Sequence, residues 1–236
     1  MKALIIIPCY NEAERLNIPE FTGFLAGHPE ISLLFVDDGS TDGTAGVLKS
    51  LAAEFANADC LILSCNSGKA EAVRQGMLFA AGKDVPFAGF LDADLATPLT
   101  EIIPMLAEAE KGKFYVSGCR LARLGSNIRR HLHRHLMGRI FATVVSMHLD
   151  LVVYDTQCGA KIFASEMIPF LFDRPFVTKW FFDVEILRRM ISRYGKEQLL
   201  AKSLEYPLSG WIDQKGSKIN YFSALKDFIR LLLSKN

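Results

Sequence analysis

No apolar run in this 236-residue chain approaches the ~20 residues that cross a bilayer. The longest candidates are ALIII near the start and IFATVVSMHLDLVV at 140–153, and Asp150 breaks the second. A leader pattern is lacking as well. Lys2 leads straight into strand-like residues without a small-residue cleavage site, so no signal peptide is expected. Cysteine is scarce: Cys9, Cys60, Cys65, Cys119 and Cys158 are odd in number, scattered, and form no C-x-x-C. That excludes a disulfide framework and a zinc ribbon, and reads as reduced packing thiols in a cytoplasmic protein. No G-x-G-x-x-G follows the first apolar run and no Walker A sequence occurs, so a dinucleotide site and a P-loop are set aside.

Acid is also missing where it would be expected. Residues 111–149 contain none, against two Lys, six Arg and four His. The net charge of +1 hides this split: residues 1–110 hold 16 acids and 6 bases, residues 111–236 hold 10 acids and 21 bases. An anionic partner is expected on the second half. No nucleic-acid motif accompanies the basic block, so a phosphorylated or membrane-bound substrate is favoured over nucleic acid.

The first 120 residues alternate. Short apolar runs (ALIIIP, ISLLFV, CLILS, PFAGFL, FYVSG) are separated by helical spacing over 11–27, 41–55, 68–81 and 99–111. This predicts an α/β fold: a Rossmann-like, mostly parallel sheet with helices on both faces. Ligands of such sheets bind outside the carboxyl ends of the strands. Those ends read PCYNE, DDGSTDGT, NSGKAEA, DAD and GCR, and every one is polar. The DAD pair, Asp92 and Asp94, places like charges close together, where each raises the other's pKa unless a cation intervenes. Oxygen ligands suit Mg2+ or Mn2+. Asp37 and Asp42 read as turn or cap residues.

After residue 120 the pattern changes. The stretch 127–151 reads as helical, with Arg130 and Arg134 on one face. DTQCGAKIF reads as loop then strand, residues 181–195 as a helix ended by Gly195, 199–208 as a strand, 210–220 as a loop, and 221–233 as an amphipathic helix. The basic and apolar sides of 128–149, together with 221–233, suit a membrane surface.

PCYNE, VDDGSTDGT, NSGKAEAVRQGM and LDADLATP occur in the order and spacing of glycosyltransferase family 2, which the chain resembles over residues 3 to about 230. GCR, RRHLHRHLMGRIF, DTQCGAKIF, WFFDVEIL and GSK narrow the likeness to the dolichyl-phosphate β-glucosyltransferases and related polyprenyl-phosphate enzymes. The resemblance implies a single GT-A domain over 1–236, with a nucleotide-sugar half (1–120) and an acceptor half (121–236). It implies an inverting enzyme that moves a hexose, glucose favoured, from a UDP-sugar or GDP-sugar to dolichyl or undecaprenyl phosphate at a cytoplasmic membrane face. Such relatives carry membrane helices or sit beside a separate membrane subunit. Where the mannose synthases often carry Gln, this chain has Ala96.

By the same resemblance, Pro8, Tyr10, Glu12, Val36, Asp38, Asn66, Gly68, Lys69, Asp92, Ala93 and Asp94 hold the donor. Asp94 and Asp92 bind the metal, and Arg120, Arg130, Arg134 and Lys218 hold the acceptor phosphate. Asp92, Asp94, Arg120 and Arg134 carry the catalysis. An ionised phosphate acceptor needs positioning and charge neutralisation rather than a strong base. The alternative is a hydroxyl acceptor, which needs a base; Asp183 or Glu185 in FFDVE could supply one, with Asp183 the candidate chosen.

Overall fold

The computed structural model describes residues 2–129, 131–214, 227 and 230; of His133 and Arg134 only the backbone is described. Strand β1 (Ala3–Cys9) is apolar throughout and lies inside the sheet, and both of its faces are covered. Alternation sorts its side chains: Leu4 and Ile6 enter one core, Ile5 and Ile7 the other. Strands β2 (Ile31–Asp37), β3 (Ala58–Ile62), β4 (Phe87–Leu91), β5 (Tyr115–Cys119), β7 (Ala160–Ala164) and β8 (Ser203–Pro207) complete a seven-stranded sheet in the order β3-β2-β1-β4-β7-β5-β8. Pairings are parallel except where β7 runs antiparallel between β4 and β5.

Helices α1 (Ile18–Gly27), α2 (Thr44–Glu54) and α4 (Ile102–Glu110) cover one face through Phe21, Leu48 and Met105. Helices α3 (Lys69–Ala81), α5 (Leu132–Leu149), α6 (Ile168–Phe172) and α7 (Phe182–Lys202) cover the other through Val73, Val145, Phe172 and Phe182. This is the expected mostly parallel, doubly covered α/β sheet. The expected cysteine chemistry also agrees: all five thiols are free and Cys9, Cys119 and Cys158 are buried. Burial pushes Cys119 up to about 12 and Cys158 up to about 11.

Several boundaries differ from the periodicity. Helix α1 begins at Ile18, because residues 11–17 are tied down as a turn: Asn11 takes φ 51° and its amide donates to Ser40. Asn17 then caps the helix, accepting from the Glu20 amide. Helix α2 starts at Thr44 with Gly43 as its cap residue, and Asp42 accepts from the Thr44 amide just ahead of it. A short 3-10 turn, Leu99–Glu101, precedes α4. Residues 199–202 finish α7 instead of starting a strand, and Gly195, at φ 75°, breaks that helix where a C-cap was expected. Residues 127–129 and 210–212, read as helix and loop, form a two-stranded parallel sheet, β6 (Asn127–Arg129) with β9 (Gly210–Ile212). Among the described residues no helix is long and apolar enough to cross a membrane.

Candidate active site at the rim of the sheet

The carboxyl ends of β1, β2, β3 and β4 meet at one rim, knitted by side-chain bonds to backbone. The Asn11 amide donates to Ser40 Oγ and the Thr41 amide to Asn11 Oδ1, each at 2.9 Å. The Glu12 amide donates to Thr44 Oγ1 at 2.9 Å. Asp37 accepts from the Ser40 amide at 3.1 Å, which makes it a turn residue. Asp38 is buried and accepts from the Ser67 and Gly68 amides at 2.8 Å, one on each oxygen. Burial pushes its carboxyl up, while those two amides and Lys179 oppose the rise. Asp38 therefore clamps the turn into α3, a role beyond the expected ligand contact.

Asp92 and Asp94 end β4. The Asp92 amide donates to Gly159 O at 3.1 Å, and its carboxylate pairs with the ammonium of Lys69. Asp94 accepts from the Ala96 amide at 3.0 Å. Leu95 between them lies at φ 52°, a left-handed conformation that costs a residue with a Cβ about 1–2 kcal/mol. Asp94 is exposed at the rim, yet its carboxyl is held above its ordinary range, first by the desolvation of neighbouring atoms and then by the charge of Asp92. A divalent cation would relieve that repulsion. Among the described residues no third Asp, Glu, His or Cys completes a cluster. The protein thus offers two carboxylates, a donor set that fits Mg2+ or Mn2+ with phosphate oxygens and water in the remaining positions.

The other donor-side candidates distribute as follows. Pro8, Tyr10, Glu12, Gly68 and Lys69 are half-buried at the rim, Asn66 is exposed there, and Ala93 is buried between the two acids. Val36 is a correction: it is fully buried in the core against α3, so a ligand cannot reach it.

Arg120 ends β5 and is gripped by Asp155, Nε to Oδ2 and Nη2 to Oδ1, both at 2.7 Å. Its guanidinium lies 5.4 Å from the Trp211 ring. Burial opposes its charge, yet Asp155 more than compensates and raises its pKa, with Asp92 adding to the same field. Glu205 fixes this pair from below, accepting the Tyr154 and Asp155 amides at 2.7 Å. Arg120 is thus oriented by Asp155 rather than swinging free. Arg130, Lys218 and nearly all of 221–233 lie outside the described residues, as does the side chain of Arg134.

Asp183 is also a correction. Its carboxylate is buried and paired at 2.8 Å with the wholly buried ammonium of Lys161, which also donates to Thr156 O at 3.1 Å and Cys158 O at 2.6 Å. Burial opposes charge on Lys161, and Asp183 overcomes it, holding the lysine above its ordinary value. A carboxylate buried and paired in this way is poorly placed to take a proton from an acceptor hydroxyl, which weighs against Asp183 as the base. Lys161, Asp155, Glu205 and Gly159 escaped the sequence reading as site residues. A lysine inside the apolar run AKIF, and an Asp and a Gly inside DTQCG, were the available signals.

Known proteins match this arrangement. Residues 4–168 match the model of the family described as Glycosyl transferase family 2. A dolichyl-phosphate β-glucosyltransferase of Trichomonas vaginalis is 30% identical over 96% of this chain and 71% of its own length. That of Drosophila melanogaster is 31% identical over 92% and 69%. Among solved structures, UDP-bound glucosyl-3-phosphoglycerate synthase of Mycobacterium tuberculosis superposes with TM-score 0.70 at 18% identity, covering 98% of this chain and 79% of that one. Mannosyl-3-phosphoglycerate synthase of Rubrobacter xylanophilus gives 0.69 at 17%, covering 98% and 74%. These two share the GT-A fold seen here. With the family match spanning most of the sheet and the acid rim at its carboxyl edge, the chain belongs to glycosyl transferase family 2 and is a glycosyltransferase.

Proposed function

We propose that this enzyme moves a hexose, glucose in the favoured reading, from a nucleoside diphosphate sugar to a polyprenyl phosphate, inverting the anomeric carbon. A UDP-sugar is favoured over a GDP-sugar, in line with the UDP named for the structural neighbours. One observation carries the acceptor half. The likeness to proteins named for dolichyl phosphate extends over 96% of the chain, well past the family match that stops at residue 168.

In this reading one domain has a donor half, 1–120, and an acceptor half, 121–236. A phosphate oxygen of the acceptor attacks the anomeric carbon opposite the leaving diphosphate. The new carbon–oxygen bond forms as the old one breaks, and the nucleoside diphosphate departs with the bonding pair. Asp92 and Asp94 would hold Mg2+ or Mn2+, a Lewis acid for the charge that develops on the leaving group. Lys69, beside Asp92, adds positive charge at the same rim. Arg120, pre-oriented by Asp155, offsets the repulsion between acceptor phosphate and donor. No base is required, because the acceptor arrives ionised; the confinement of Asp183 by Lys161 supports this.

A membrane surface, on the cytoplasmic side, is where such an acceptor presents its head group. Supporting it, Leu132, Leu136, Met137, Ile140 and Met147 of α5 are 54–77% exposed. The same helix reaches the rim through a short relay: Arg139 donates to Tyr154 O at 2.7 Å, and the amides of Tyr154 and Asp155 bond Glu205. The test is a panel of labelled nucleotide sugars offered with polyprenyl phosphate and with water-soluble acceptors. Metal-dependent label in the organic phase, absent from Asp94→Asn, is the expected result. Transfer to water-soluble acceptors alone would overturn the proposal.

A further inference from the structure

The loop 173–181, between α6 and α7, is secured from two sides by α7. Glu185 is buried and accepts from the Val177 and Thr178 amides and from Thr178 Oγ1, all at 2.8 Å. Arg189, one turn later, donates to Arg174 O at 3.1 Å and Pro175 O at 3.0 Å, with its guanidinium 4.5 Å from the Phe176 ring. These charge-assisted bonds fix the backbone up to Thr178, and the next residue is Lys179.

The exposed Lys179 is held against the donor rim. Its stem passes Gly68: a Cβ at Gly68 would stand 3.4 Å from Lys179 Cδ and 3.7 Å from Cγ. Gly68, at φ 94°, presents no side chain of its own there. It is the cap residue of the 13-residue α3, whose first turn carries the positive end of the helix dipole. Lys179 acts on Asp38, whose carboxylate accepts from the Gly68 amide, while Lys69, the next residue, pairs with Asp92. Among the described residues the Lys179 ammonium makes no ion pair. Beside it opens a cleft of about 670 Å³ of mixed charge, lined by Lys179 and Arg230 and by Glu71 and Asp227.

We propose that Lys179 is a donor-site residue that binds the diphosphate of the nucleoside diphosphate sugar, and that Glu185 is the positioning residue that holds it there. This rests on the donor reading given above. The chemistry selects a diphosphate over a base or a sugar hydroxyl: the Lys179 side chain lies across Gly68 from the N-terminus of α3, whose first residue, Lys69, pairs with Asp92. Lys69 is occupied by Asp92, so a second cation answers the remaining phosphate charge.

The experiment measures binding of UDP, GDP and uridine to the full chain with Mn2+ and no acceptor, by calorimetry, for wild type, Lys179→Ala, Lys179→Arg and Glu185→Gln. Lys179→Ala should weaken binding of the preferred nucleoside diphosphate about tenfold, as loss of one charge-assisted contact does. Uridine binding should not change, and Lys179→Arg should recover most of the loss. Glu185→Gln should weaken the diphosphate selectively while far-UV circular dichroism stays the same. Unchanged diphosphate affinity in Lys179→Ala would overturn the proposal and leave the donor reading standing. So would an equal loss for uridine. Failure of the wild type to bind any nucleoside diphosphate would overturn both.

Discussion

Gly159 lies so close to Asp92 that a Cβ on it would stand 2.1 Å from Asp92 Oδ2 and 2.4 Å from Cγ. The same two residues share a backbone bond from the Asp92 amide to Gly159 O. The glycine of DTQCG thus fixes where an acid of the DAD pair points. Gly159→Ala should force the Asp92 carboxylate off Lys69 and away from its partner acid. Turnover should fall about 10²-fold, the order lost when a catalytic group is misplaced by an ångström, with the fold retained. Steady-state rates, with Mn2+ affinity by electron paramagnetic resonance, check this. Wild-type values for both would show that Asp92 tolerates displacement.

Much of this rim was legible because local sequence dictates it. Five apolar runs, each ending in polar residues, name the strands, and a parallel sheet puts those ends together. What escaped depends on distant partners. A five-residue apolar run looks the same parallel or antiparallel, so AKIF did not reveal that β7 reverses between β4 and β5. Lys161 was not singled out because its counter-charge, Asp183, lies 22 positions on. Arg120 read as a free clamp because Asp155 is 35 residues away. The shortened start of α1 follows from Asn11 bonding Ser40 and Thr41 across 29 and 30 residues, which periodicity cannot register.

The buried Lys161–Asp183 pair makes a stability prediction. Removing one partner strands the other charge in the core, which costs about 3–5 kcal/mol. Lys161→Met should therefore lower unfolding free energy by that amount in urea titrations. It should also loosen the 156–159 turn, since Thr156 O and Cys158 O lose their donor. Lys161→Met combined with Asp183→Leu should recover a large part of the stability, because no lone charge remains. A double variant no more stable than the single would mean that the two carbonyls, not the carboxylate, dominate the lysine's role.

Glu205 sets a pH dependence. Burial raises its carboxyl more than the Tyr154 and Asp155 amides lower it. With the folded pKa above the unfolded one, the native state binds more protons between the two. Stability from this group is then present at low pH and declines as pH rises through the raised value. Glu205→Gln removes that titration. The stability gap between wild type and Glu205→Gln, from urea unfolding, should be wider at pH 5 than at pH 8. A gap that widens with pH instead would show that the two amides outweigh burial.

The apolar stripe of α5 makes the last prediction. Leu132, Leu136, Ile140 and Met147 are spaced four, four and seven apart, so they share one side of the helix. Ala142, Val145 and Leu149 take the other side into the protein and are buried. Leu124 and Val152, nearly fully exposed, flank the stripe. A soluble surface seldom carries so many large apolar side chains in one line without something to cover them. A bilayer interface would bury them at about 1.5–3 kcal/mol each when fully inserted. Exposed Arg123 and Arg129 lie nearby in sequence, and each basic residue contributes about 1 kcal/mol at an anionic surface. Arg139 does not join them, since it bonds Tyr154 O and stacks 3.6 Å from that ring. The protein should therefore co-sediment with anionic liposomes and detach in part at high salt. The triple change Leu136→Ser, Met137→Ser, Ile140→Ser should lower retention by at least about 10³-fold at full insertion. These positions already face outward, so thermal stability and donor hydrolysis without acceptor should hold. If sedimentation velocity instead finds a dimer that the triple variant dissociates, and liposomes retain neither protein, the stripe is a protein interface and the membrane assignment fails.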